Sequence, residues 1–277
     1  MRPLTAALCL ALLAPLAAPG AAEAASGWKH DPARDRVGRI YHYLRTNSDG
    51  SEPEHVRVFR RTATDLAVNK AIRPCLNAAY VTAALDLEAG EARTVTGGRL
   101  TREGTQDAFA FLKLDPASAR MTATINLPGQ TLEGAVDAGP GPRVLYDFDL
   151  ADLTVLAPHL SDPRQGFSFG VILLWPPAIP DFLQNRGRLD AAFEREEPHG
   201  GRPALRFRVT GAPFGDKAGT LWLDAAEGHV LEADFPLPNH DNYDDFKLVL
   251  ERVEDTGEPG WTALLASHWA GCPAPAP

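Results

Sequence analysis

The sequence predicts a mainly β protein: one large, curled antiparallel sheet, a half-barrel or an open barrel, with one or two helices covering it. Short segments repeatedly alternate apolar and polar residues, as a strand with one buried face requires. Turns rich in glycine, proline and asparagine separate these segments, and few segments show helical spacing. An apolar content of 44% in 277 residues can also bury a core without many disulfides.

The N-terminus is typical of a secretory signal peptide. Arg2 precedes an apolar run from Leu4 to Leu16, and small residues ending in Ala22-Glu23-Ala24 fit a cleavage site. We expect residues 1–24 to be removed and residues 25–277 to form a single β-rich domain with short flexible ends. The run is too short for a transmembrane helix of about 20 residues. The sequence therefore predicts a periplasmic protein with no transmembrane segment after signal removal.

The period-two segments follow one another as in a meander. Each places apolar side chains on one face and mostly polar ones on the other, so each predicts a strand. The clearest segments are Ile40–Leu44, Arg120–Leu127, Val144–Leu150, Leu205–Thr210 and Phe246–Glu251.

Two segments have helical spacing instead. Leucines three or four residues apart between Leu150 and Leu160 predict a couple of helical turns, limited by Pro158. The run from Trp261 to Trp269 predicts an amphipathic C-terminal helix. We expect these helices against the concave face of the sheet, because a curled sheet otherwise leaves apolar surface and edges in water.

Two cysteines remain after removal of the signal peptide, Cys75 and Cys272. An exported chain meets an oxidising compartment, and two cysteines have one internal pairing, so the sequence predicts a disulfide between them. Two buried thiols are the alternative.

The net charge of −9 argues against a nucleic-acid partner, because that affinity comes largely from lysine and arginine on a basic face. The nearest candidates, Arg60-Arg61 and the alternating Arg206 and Arg208, fit the solvated faces of strands. We expect no nucleic-acid binding.

The segment Gly166–Gly170 matches the G-x-S-x-G motif of a hydrolase nucleophile elbow. Later residues, Asp190 and His240, have the chain order of a triad. An elbow needs a helix after the serine, however, and a strand-like run follows Ser168. The context therefore favours a strand.

Two acidic groups could carry other chemistry. Asn239–Asp245 is the densest polar cluster, and we interpret it as a structural loop, with an ion site or acid–base catalysis as alternatives. Asp147, Asp149 and Asp152 precede or begin the predicted short helix, where carboxylates favour helix capping. No H-E-x-x-H or C-x-x-C motif is present, so we expect no metal and no cofactor.

Aromatic residues could line an apolar cavity between the sheet and its helices, or they could form an ordinary core. The candidates for such a lining are Phe148, Phe167, Phe169, Trp175 and Trp222.

Three stretches together resemble a known group of proteins. Gly219–Leu231 has a strand, an Asp-x-x-x-Gly turn and a returning strand; Phe246–Leu250 and Tyr146–Leu150 accompany it. This third of the chain resembles periplasmic bacterial proteins of the lipoprotein-localisation-factor type. The resemblance implies a half-barrel covered by helices and binding of a lipid, an acyl chain or a lipoprotein. It supplies no catalytic residue.

The leading hypothesis is therefore a non-catalytic periplasmic protein that binds an apolar ligand between sheet and helices. One alternative is an envelope-assembly or structural protein that acts through a surface patch. A second alternative is a hydrolase-type enzyme that uses Asp147, Asp149, His240 and Asp241.

Overall fold

The computed structural model describes residues 27–175 and 181–274, and in these ranges fifteen strands form one sheet. Strands account for 52% of the chain, which confirms the predicted mainly β class. The predicted signal peptide, residues 1–24, lies outside the described residues. The strands are β1 Ile40–Thr46, β2 Glu54–Arg60, β3 Asp65–Ala71, β4 Ala79–Asp86, β5 Glu91–Leu100, β6 Gln106–Asp115, β7 Arg120–Leu127, β8 Gln130–Asp137, β9 Arg143–Leu145, β10 Phe167–Leu174, β11 Leu183–His199, β12 Arg202–Gly211, β13 Gly219–Asp224, β14 Val230–Phe235 and β15 Phe246–Glu254.

The sheet is a meander split at β1. Strands β2 to β8 follow in order on one side of β1, and β15 down to β9 follow on the other. Neighbours are antiparallel except β9 and β10, which are parallel. β8 and β9 stand at opposite ends of the order and do not pair with each other, so the sheet is not closed.

The sheet curls strongly. β5 contacts β9 and β8 contacts β11, although these strands are far apart in the sheet order. One core cluster draws buried side chains from both halves, including Val58, Leu112, Phe169 and Leu248. This cluster marks the concave face, where the two halves of the sheet approach each other.

Two helices are described, α1 at Ala151–Leu156 and α2 at Gly257–Trp269, with 3-10 turns between strands. α1 lies on the concave face, as predicted, because its leucines belong to the same core cluster.

The prediction for α2 was wrong in one respect: this helix covers the opposite, convex face. Trp261 and Leu265 pack against Ile40, Phe59 and Tyr80, which alternate with the concave-facing residues of the same strands. The physical reason is that these strands are apolar on both faces, so the convex face also needs a cover.

Cys75 and Cys272 form a disulfide, with their Cα atoms 5.4 Å apart. Cys75 lies between β3 and β4, and its backbone N–H donates to the His268 carbonyl at 3.1 Å. The C-terminal end of α2 is therefore tied to the sheet.

The predicted strand Val144–Leu150 is shorter than expected. β9 ends at Leu145, a 3-10 turn covers Tyr146–Phe148, and Asp149 and Leu150 adopt left-handed backbone with φ values of 54° and 56°. Leu150 stands at the N-terminal boundary of α1 without a side-chain cap, so the predicted capping by Asp149 was wrong, whereas Asp152 lies in the first turn and accepts from the Leu153 amide at 2.9 Å.

Candidate functional site

The concave face is covered by residues 143–165, which we call the plug. The plug includes β9 and α1, and its side chains are packed tightly: Tyr146, Phe148, Leu150 and Leu153 are each no more than 1% exposed. The plug fills the space that the sequence suggested for a ligand cavity.

A pair of hydroxyl groups joins α1 to β1 across the core. Tyr43 donates its hydroxyl hydrogen to the Val230 carbonyl at 2.8 Å, which leaves its oxygen free to accept from Thr154 at 3.0 Å. Both bonds are buried, so they fix the height of α1 above the sheet.

The plug is also held by a buried charge cluster, which we call the anchor cluster. Asp149 lies 2.7 Å from Lys70 Nζ and 3.3 Å from Arg45 Nε, and it accepts a hydrogen bond from Asn239 Nδ2 at 2.7 Å. Asp149 and Arg45 are both fully buried, and Lys70 is 6% exposed. Buried charges are costly unless they are paired, so each of these groups depends on the others.

The anchor cluster reaches further through its two cations. Lys70 Nζ donates to the Asp147 carbonyl at 2.5 Å, and Arg45 also donates to Asn239. The guanidinium of Arg45 lies 3.2 Å from the ring centroid of Tyr243, an arrangement that stabilises a desolvated cation.

Opposing effects set the protonation of this cluster. Burial alone would raise the pKa of Asp149, but Lys70 and then Arg45 outweigh it and hold the pKa below its usual value. Burial and the Lys70 charge lower the pKa of His240 to about 3. His240 is therefore neutral at pH 7, and its Nε2 can accept from Lys70 Nζ at 3.3 Å.

The residues proposed for a hydrolase come together only in part. Asp149 and His240 meet through Lys70, whereas Asp241 is exposed and the Asp147 carboxylate accepts from the backbone of Leu174 at 3.3 Å. A lysine already stands between the carboxylate and the imidazole. The arrangement suits an electrostatic anchor.

Ser168, the serine of the G-x-S-x-G segment, lies within strand β10 and donates to the Asp190 carboxylate at 2.5 Å.

Residue types alone would allow a metal at two places in the described chain. Glu54, Asp149 and His240 approach one another, but Lys70 and Arg45 supply the positive charge there.

The other group is His30, Asp35 and His159, beside the buried Arg60. Asp35 accepts from Arg60 and lies 3.1 Å from His30 and 3.3 Å from His159. The Asp31 amide donates to His159 Nδ1 at 3.3 Å, which places the proton of the neutral ring on Nε2, toward Asp35. This group therefore works as a hydrogen-bonded tie between the N-terminal segment and the plug.

The five aromatic residues suggested as a ligand lining do not share one site. Phe148, Phe167 and Phe169 are buried in the concave core, and Trp175 is partly buried against it. Trp222 lies in a separate small cluster and stacks on His199, with ring centroids 4.1 Å apart.

An open groove of about 640 Å³ runs between β8 and the start of β11. Val136, Phe182 and Leu183 line it, and all three also pack in the concave core. Charged side chains, among them Glu133 and Arg186, stand at its rim. Here the apolar interior reaches the surface.

The strand and turn patterns of the sequence do not predict this groove. The one local signal is Gly134 within the β8 pattern, since a glycine in a strand often marks a close approach. A Cβ at Gly134 would lie 2.8 Å from the Phe182 ring.

Large exposed apolar side chains are scattered over different elements: Val37, Ile72, Leu76 and Phe111. In the described chain, no helix is long and apolar enough to cross a membrane.

Comparisons with known proteins gave matches among solved structures alone. No protein-family model matches it, and no curated protein matches it. Among solved structures, it is similar to a domain from Vibrio parahaemolyticus described as an outer membrane lipoprotein-sorting protein, with 11% identity, a TM-score of 0.25, and coverage of 84% of this chain and 94% of that chain.

Proposed function

We propose that the protein is an exported, non-catalytic binding protein of the periplasm that holds an apolar ligand, such as an acyl chain, at the groove between β8 and β11. The observation that carries this proposal is that Phe182, Leu183 and Val136 belong both to the groove and to the concave core. A ligand bound there joins an existing apolar interior rather than an isolated surface patch.

The size of the groove supports this ligand class. Small-molecule sites in proteins commonly span about 300–1,000 Å³. The groove volume of about 640 Å³ falls in that range. Each methylene removed from water contributes about 0.8 kcal/mol, less the entropy of immobilising the chain.

The rim supplies a partner for a polar head group. Arg186 lines the groove and donates to the Gln184 side chain at 3.0 Å. A carboxylate at the end of an acyl chain would accept from this guanidinium, while the chain lies over Phe182.

Export is supported by the predicted signal peptide and by the Cys75–Cys272 disulfide, because disulfides persist mainly in oxidising compartments. The plug remains in place in this proposal, since its anchor cluster and hydroxyl bonds hold it against the sheet.

A fluorescent fatty acid tests the proposal directly. We expect saturable binding of a dansyl-labelled fatty acid, competed by unlabelled palmitate, measured by the blue shift of dansyl emission. V136W fills the groove from β8 and should weaken binding about tenfold or more, because it removes the space for the chain.

T131W is the matched control, since Thr131 is exposed on the same strand and does not line the groove. Equal affinities of the V136W and T131W variants, or no saturable binding by the unsubstituted protein, would contradict the proposal. Thermal unfolding of each variant checks that the fold is retained.

A further inference from the structure

A second, smaller cleft lies on the opposite side of the sheet, between α2 and the convex face of β2 and β3. Its volume is about 260 Å³. The polar residues that line it are His55, Arg57, Asn69, Arg73, Ser267 and His268.

Two arginines, Arg57 and Arg73, supply positive charge to the lining of this cleft. Arg57 is half-buried and donates to Asn69 Oδ1 at 3.2 Å, and Arg73 is exposed in the loop after β3. Within residues 27–175 and 181–274, neither arginine forms an ion pair, although most other arginines of this acidic chain do. A half-buried guanidinium that is not bonded to a carboxylate can bind another anion.

The neighbours of Arg57 carry charges of both signs. Burial, and then the charge of Arg252, lower the pKa of Arg57. The charge of Glu251 acts in the opposite direction and raises the pKa of Arg57. Two carboxylates stand nearby: Glu251 lies 3.7 Å from His55 Nδ1, and Glu254 accepts from Arg252 Nε at 2.8 Å.

The last turn of α2 also lines the cleft, and a helix C-terminus carries partial negative charge. Its effect is reduced here, because the His268 carbonyl accepts from the Cys75 amide at 3.1 Å. The disulfide Cys75–Cys272 holds the loop that carries Arg73 beside α2, so the cleft is built from rigidly connected elements.

We propose that this cleft binds a phosphate group through the guanidinium groups of Arg57 and Arg73. Arginine forks match phosphate oxygens with paired hydrogen bonds, and the Ser267 hydroxyl lies in the same lining. The cleft volume of about 260 Å³ holds a phosphate group together with part of the molecule that carries it. This site is separate from the groove on the other side of the sheet.

Calorimetric titration with inorganic phosphate at low ionic strength tests the site. We expect R57Q and R73Q each to weaken phosphate binding by about tenfold or more, and R57K to weaken it less because charge is kept while the fork is lost. E251Q should tighten binding, since it removes the carboxylate that lies beside His55 in the lining of the cleft.

R208Q is the control, because Arg208 is an exposed arginine on β12 and its loss changes the net charge equally. Vesicles of phosphatidylcholine with phosphatidic acid distinguish the source of the phosphate. Vesicle binding that R57Q abolishes would support a lipid headgroup, and binding of inorganic phosphate alone would support a free or small phosphate compound. Absence of both, or an equal loss in the R208Q variant, would overturn the proposal.

Discussion

At the scale of single residues, the sequence predicted two members of the anchor cluster and not its two cations. Asp149 and His240 were predicted from the sequence as candidate catalytic residues, and in the structure both contact Lys70. Arg45 and Lys70 were not predicted, although each is the next concave-facing residue on its strand, β1 and β3 respectively. The sequence did contain a signal for them: each is a cation at the next position in a series of alternating apolar residues. A cation at such a buried position needs a buried partner.

Replacing Asp149 with asparagine should destabilise the protein by about 3–5 kcal/mol, because Lys70 and Arg45 would remain buried without their carboxylate. Asparagine tolerates the left-handed backbone at this position, so the effect reports the lost charge. The measurement is the free energy of unfolding in urea. D190N, at an exposed carboxylate, is the control and should cost less than about 1 kcal/mol.

The double variant D149N/K70M should recover part of that loss, since it removes an unpaired cation together with its partner. Equal stabilities of the D149N and D190N variants would contradict an anchoring role for the cluster.

Asp152 predicts a pH dependence of stability. Burial raises the pKa of this carboxyl to about 7, above a usual unfolded value of about 3.9. The folded state therefore holds a proton that the unfolded state has released, and this contribution is complete below about pH 4 and is lost as pH rises through 7.

The difference in unfolding free energy between the unsubstituted protein and D152N should consequently fall by about 2–3 kcal/mol from pH 5 to pH 8. The amide also loses one of the two backbone hydrogen bonds that Asp152 accepts from Leu145 and Leu153, which adds an offset independent of pH. A difference that stays constant over this range would show that Asp152 is ionised in the fold.

At the scale of elements, the position of α2 separates local from tertiary information. The spacing from Trp261 to Trp269 predicted the helix, and the structure extends it back to Gly257. The same spacing cannot show which face of the sheet the helix covers. That choice depends on the second apolar face of β1 to β5, which meets Trp261.

Replacing Trp261 with alanine should cost about 3–5 kcal/mol of stability, because the ring is 1% exposed and stacks on Phe59 at a centroid distance of 5.3 Å. Trp269, which is partly exposed beside Arg102, provides the matched control. W269A should cost less than half as much in the same urea titration, and a similar cost for both would mean that α2 is not seated on the convex face.

At the scale of the whole molecule, the sheet is continuous and its concave core draws on both halves. A single domain over residues 25–277 is the sequence prediction, and a shared core predicts that both halves unfold together.

Hydrogen exchange in increasing urea tests this. Peptides from β4 and from β13, on opposite sides of β1, should converge on one opening free energy. The backbone amides of β8, at the free end of the sheet, should exchange sooner, since fewer contacts protect them. Two well-separated transitions for β4 and β13 would divide the chain into two domains.

The sequence by itself determined the β class, the alternation of buried faces, the presence of both helices and the pairing of Cys75 with Cys272. The class and the elements follow from local periodicity and turn residues, which neighbouring residues along the chain encode. The pairing follows because two cysteines outside the predicted signal peptide have one internal pairing. Tertiary structure alone decided the side taken by α2, the meeting of Asp149 with Lys70 and Arg45, and the groove and the cleft. Periodicity predicts that a side chain is buried but does not identify the residue that it contacts. That residue lies on a strand far along the chain, and the curl of the sheet brings the two together.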